Sequence, residues 1–109
     1  RVLSAGIVAL RRCVAYVVEH YRSDAKSVAA GAVPLLELFG IVAGGWQLAR
    51  AALAARKGLL QGSGDPGFLR AKLLTARFYA DHVLAQAPGL AETVVNGAAA
   101  VLAYTDDQF

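Results

Sequence analysis

The side chains of this chain with catalytic or ligating chemistry are few and poorly grouped. Two histidines each follow an acid, as Glu19-His20 and Asp81-His82. An acid orients an imidazole only where the two side chains meet, and adjacent residues on a helix point about 100° apart. Two imidazoles without further ligands at metal spacing make no zinc site. Cys13 follows Arg12, a neighbour that lowers a thiol pKa, yet its apolar surroundings favour a buried, inert thiol. As the one cysteine, it excludes an internal disulfide framework and a cysteine-cluster metal site. Glu37 lies between Leu36 and Leu38, and an outward-facing or ion-paired carboxylate is expected there rather than a buried one with a raised pKa. Nucleophile, base and oxyanion donor do not assemble, so no catalytic, cofactor-binding or metal residue is assigned.

Anion binding is the second chemistry to weigh. Arg56 and Lys57 close one expected helix, and Arg70 and Lys72 open the next, which places all four at one end of an up-down bundle. The first pair complements a helix C-terminus and the second opposes the dipole. These four are the candidate contact for a phosphate or for an acidic partner; the plainer alternative is a solvated rim. Gly58–Gly67 holds four glycines with Ser63, Asp65 and Pro66. A glycine-rich loop ahead of a helix can cradle phosphate. Here no strand precedes it and no Lys-Ser/Thr pair follows, so it reads as a connector with a helix cap. With a net charge of only +3 and no groove-reading motif, nucleic acid is not an expected partner.

The elements that must hold these residues are all helical. Leu3, Ile7, Leu10, Val14, Val17 and Tyr21 form one stripe over Val2–Arg22, and Ala25–Ala30 follows as a short helix behind Ser23-Asp24. A second long helix is expected from Pro34 to Leu60, with Leu35, Phe39, Val42, Trp46, Ala49 and Leu53 as its stripe. Gly40, Gly44 and Gly45 lie within it and permit close approach, either inside this domain or against a second domain or subunit. From Gly67 the stripe Leu69, Leu73, Ala76, Ala80, Val83, Ala87, Leu90, Val94, Gly97, Val101 and Tyr104 keeps one phase. The expected fold is therefore an all-α up-down bundle of three long helices, the last kinked or broken at Pro88, with a four-helix bundle as the alternative. At 1.5 Å per residue the third helix spans about 57 Å against about 31 Å for the first. Its end is then expected to overhang as an exposed apolar strip. The candidate packing interface is accordingly Gly40, Gly44, Gly45, Leu90, Val94 and Val101.

The 109 residues allow one domain, 1–109, and 57% hydrophobic against 17% charged residues excludes a disordered chain. A membrane span needs about 20 consecutive apolar residues. The cleanest runs, Val2–Leu10 and Leu38–Trp46, are shorter, so no span is expected and the excess apolarity points to a covered surface. All eleven Lys and Arg fall at or before Arg77, and the rest of the chain carries Asp81, Glu92, Asp106 and Asp107. The start at Arg1 and the absence of methionine read as a C-terminal piece of a longer protein.

The segment FLRAKLLTARFYADHVLAQAPGLAETVVNGAAAVLAYTDDQF, Phe68–Phe109, resembles the close of the accessory C-terminal domain in one branch of the acyl-CoA dehydrogenase family. That branch includes enzymes similar to 3-methylmercaptopropionyl-CoA dehydrogenases. Ala32-Val33-Pro34, Gly44-Gly45-Trp46 and Ala49-Arg50-Ala51-Ala52 resemble the same domain's middle helix, and Lys72 to His82, with Ala76-Arg77-Phe78-Tyr79-Ala80 between, is the most specific part. Residues 1–29 match only as a generic helix. The resemblance implies a parent that uses FAD and a glutamate base to desaturate acyl-CoA thioesters at the α,β position. Flavin and base would belong to a preceding body, leaving this part with no cofactor of its own and Glu37 outside the catalytic segment. It also implies the body as partner, a homo-oligomer and a cytoplasmic location. Pro88 departs from the family's more usual alanine-rich continuation.

Overall fold

The computed structural model describes residues 1–104; Asp106 and Asp107 lie outside the described residues. The elements are α1 (Val2–His20), α2 (Ala25–Ala30), α3 (Ala32–Gln61), α4 (Pro66–His82), one turn of 3-10 helix (Leu84–Gln86), α5 (Ala87–Asn96) and α6 (Ala98–Leu102). Local sequence accounts for most of the boundaries. Asp24 caps α2 by accepting bonds from the Ser27 amide at 3.3 Å and hydroxyl at 2.6 Å. At the end of α3, Gly62 takes the left-handed conformation (φ +68°) and the Ser63 amide donates to the Gly58 carbonyl at 2.9 Å. Asp65 then accepts from the Gly67 amide at 3.2 Å, and Pro66 stands in the first turn of α4.

Three antiparallel layers result. Gly58 on α3 lies against Leu69, Gly44 against Tyr79, and Gly45 against Leu84, so α4 runs back along α3; Gly31, just ahead of α3, meets Val94 of α5. The helix α1 lies on α3 and α5, with Arg12 bonded to Glu92 at 3.1 Å. This is the expected all-α bundle with a bent third helix. The bend, however, precedes Pro88. The helix ends at His82, Leu84–Gln86 forms the 3-10 turn, and Pro88 stands in the first turn of α5, where its missing N–H removes no bond. Gln86 donates its side-chain amide to the His82 carbonyl at 2.9 Å, satisfying one acceptor freed by the break.

The expected overhang is confined to the end of the stripe, where Val101 and Tyr104 are exposed. Because α5 continues in the direction of α4, its stripe reaches α1 and the first half of α3, burying Ala87, Ala91 and Val94. Two other stripes are only half inward. On α1, Leu3, Leu10 and Val17 turn in while Ile7, Val14 and Tyr21 are exposed. On α3, Leu35, Val42 and Ala49 turn in while Phe39, Trp46 and Leu53 are exposed. The buried faces centre instead on Gly6, Ala9 and Cys13 of α1 and on Leu38, Val42, Gly45 and Ala55 of α3. Small residues face the seam because they let the helices approach, and bulkier ones are displaced outward. The 30 residues of α3, with a mean hydropathy of 1.4 over the most apolar stretch, are long and apolar enough to cross a membrane by length and composition alone, a test that the core helix of a soluble protein also passes. In the fold α3 serves as the central helix of the bundle.

Cys13 is fully buried, its Sγ 3.9 Å from the Ala91 carbonyl oxygen, and desolvation raises the thiol pKa despite the nearby Arg12. An aromatic disulfide reagent is therefore expected to leave Cys13 unmodified in the native protein and to titrate it in denaturant; prompt native reaction would contradict the packing. Two glycines make a sharper test. A Cβ on Gly31 would stand 3.1 Å from the Val94 carbonyl oxygen and 3.3 Å from its Cα, whereas one on Gly40 meets nothing within 4 Å. Urea unfolding should show Gly31→Ala destabilising by about 1–3 kcal/mol and Gly40→Ala stabilising by up to about 1 kcal/mol. Equal effects at the two positions would overturn the close approach of α5 to the start of α3.

Candidate functional site

Both histidines are committed to partners on their own helices. His20 stacks on Tyr16 with ring centroids 4.7 Å apart, and its Nδ1 lies 3.1 Å from the Tyr16 carbonyl oxygen. His82 stacks on Phe78 at 4.5 Å, and Asp81 pairs with Arg77 at 3.0 Å rather than with His82. These are pairs four residues apart on one helix, the geometry in which side chains meet. No three His, Cys, Asp or Glu side chains converge among the described residues. Glu37 is exposed. Hydrogen bonds from Asn96 and Arg12 hold the Glu92 carboxyl below its ordinary range, and burial raises the Tyr79 phenol.

The basic candidates lie on the hairpin joining α3 to α4. Leu69 packs on Gly58, which brings the turn carrying Arg56 and Lys57 level with the start of α4, where Arg70 and Lys72 stand. Arg56, Lys57 and Arg70 are exposed and form no ion pair among the described residues, while Lys72 extends over the Phe68 ring at 5.8 Å.

The interface candidates divide. Gly44 admits the Tyr79 side chain, whose hydroxyl donates to the Ile41 carbonyl at 2.7 Å, and Gly45 admits Leu84. Val94 is buried and Leu90 half-buried against the same core, so both are used inside the domain. Gly40 and Val101 are exposed.

What the stripe analysis missed is an outward apolar face. Phe39, Trp46, Leu53 and Leu60 recur every seven residues on α3 and are half to three-quarters exposed, with Leu36 flanking the face towards the start of the helix. Arg50 and Lys57 fall at the same angle, and Arg50 lies over the Trp46 ring at 5.0 Å. The available signal was the second heptad position, whose large residues stand opposite no small partner.

A concavity of about 670 Å³ runs between α3 and α4 beside the start of α1 and is walled mainly by alanine and leucine. Its polar lining is confined to Arg1, Tyr79 and the Arg77–Asp81 pair, and among the described residues no polar side chain is fully buried.

The family model described as acetyl-CoA dehydrogenase C-terminal like matches residues 1–105. Over 63 residues, 58% of the chain, the sequence is 48% identical to the 3-methylmercaptopropionyl-CoA dehydrogenase of Ruegeria pomeroyi, and the match covers 10% of that protein. No solved structure matches significantly. A helical chain with a small-residue seam, an outward apolar face and a family match over nearly its whole length thus belongs to the acyl-CoA dehydrogenase C-terminal domain family.

Proposed function

We propose that the chain is a non-catalytic helical domain of a flavin-dependent acyl-CoA dehydrogenase, and that the outward face of α3 packs on the dehydrogenase body or on a neighbouring subunit of a homo-oligomer. The observation that carries this reading is the row Phe39, Trp46, Leu53 and Leu60, large apolar side chains left in water by a chain whose inner seam is already filled. Monomeric soluble proteins rarely leave contiguous apolar patches of this kind uncovered. The family membership supplies a body of the right kind: FAD and the base that desaturates the thioester at the α,β position would both lie outside these residues, in a cytoplasmic enzyme. A second reading draws on Arg56, Lys57 and Arg70, which form no ion pair among the described residues and would hold a CoA phosphate at the hairpin end.

The two readings separate experimentally. Phe39→Gln with Leu53→Gln should shift the unfolding free energy of the 109-residue chain by no more than about 0.5 kcal/mol, as exposed positions do. The same pair in the full-length dehydrogenase should lower its melting temperature by several degrees or dissociate its subunits. Unchanged melting and assembly of the full-length protein would refute the packing face. The chain alone should purify without flavin absorbance, and bound flavin would contradict a non-catalytic domain. Saturable binding of CoA to the chain, abolished by Arg70→Ala, would favour the second reading.

A further inference from the structure

The seat of α1 continues beyond α1 itself. Leu3 rests against Gly45, with its Cδ1 3.5 Å from the place a Cβ would occupy, and Gly6 rests against Val42 and Leu84. Moving from Gly6 to Leu3 therefore moves up α3 from Val42 to Gly45. The next turns of α3 and α4 in that direction carry Leu48, Ala49 and Ala52 on one wall and Leu73, Ala76 and Ala80 on the other. All six are half-buried, and they bound the 670 Å³ groove, which Arg1, Val2 and Leu3 close at one end and the Arg77–Asp81 pair and Tyr79 also line. Its walls repeat the small-residue character of the seam that α1 already occupies.

We propose that the groove is filled by the segment immediately preceding Arg1 in the longer dehydrogenase chain, as a helical continuation of α1. The occupant is an apolar helix with small inward residues. From the level of Leu84 back to that of Leu73 its length is about eleven residues, or about 16 Å at 1.5 Å per residue. The outward face of α3 is a separate surface and stays available to the body. The inference rests on the reading of the chain as part of a longer protein, a reading consistent with the match covering only 10% of its relative. It does not depend on that protein's flavin chemistry.

Hydrogen exchange read by mass spectrometry on the full-length protein tests the assignment. The residues just before Arg1 should exchange at least roughly tenfold more slowly than unstructured chain. Ala52→Trp and Ala76→Trp, which fill the groove from opposite walls, should each abolish that protection while Ala87–Val94 stays protected. Rapid exchange of the preceding segment in the unaltered protein would overturn the proposal. So would protection that survives both substitutions, or protection of the groove walls that rises with protein concentration, the sign of a second copy in the groove. Flavin content and acyl-CoA oxidation, measured on the same sample, report on the proposed function separately. A protected segment in a protein lacking both would refute the dehydrogenase reading alone.

Discussion

Close helix approach through small side chains is the constraint on which this domain depends. Leu84 stands at its centre, its methyl groups within 3.0–3.2 Å of where Cβ atoms on Gly6 and Gly45 would lie. A single branched side chain is thus held between α1 and α3 in hollows that only glycine leaves open. Around it Ala9, Cys13, Ala87, Ala91 and Val94 complete a seam with few bulky members. Such a seam packs tightly but buries little area per residue, because burial free energy scales with the apolar surface removed from water. A chain with 57% hydrophobic residues then has more large apolar side chains than its interior accepts. They are placed on the outside of α1, α3 and α4, in α3 as a heptad row.

The 3-10 turn at Leu84–Gln86 follows from the same constraint. Leu84 must enter between two helices while the residues before and after it keep their inward phase. A local tightening of the helix allows this without reversing the chain. Pro88, in the first turn of α5, is compatible with the new helix start rather than the cause of the bend. The long stripe from Leu69 to Gly97 therefore remains on one side across the break, and α5 covers the half of α3 that α4 does not reach.

This explains which parts of the architecture sequence reasoning could reach. The helical class, the short α2, the Asp65-Pro66 start and the phase of Leu69–Gly97 follow from periodicity and caps, which are local properties. The inward faces of α1 and α3 do not. Both helices are apolar around much of their circumference, so a heptad of large residues looks like a core stripe whether it points in or out. Gly6, Ala9 and Cys13 decide the orientation of α1, and Gly45 and Ala55 help decide that of α3, because size complementarity across helices outweighs hydrophobicity along one. Gly31 and Val94 illustrate the same limit: their backbones come together only through the tertiary fold. The basic end at Arg56, Lys57, Arg70 and Lys72 was readable because a short hairpin brings neighbouring helix ends together. The histidines, by contrast, are spent on Tyr16 and Phe78, partners four residues away.

The exposed α3 row is the surface that the proposed packing on a dehydrogenase body or a neighbouring subunit would cover. Hydroxyl-radical footprinting tests the claim most directly, by comparing side-chain oxidation at Phe39, Trp46 and Leu53 in the 109-residue chain and in the full-length dehydrogenase. The structure predicts strong labelling of all three in the chain alone and clear protection in the full-length protein, with Tyr21 on α1 labelled in both. Equal labelling of the α3 row in the two forms would contradict the account, because the apolar surface displaced by the seam would then have no cover.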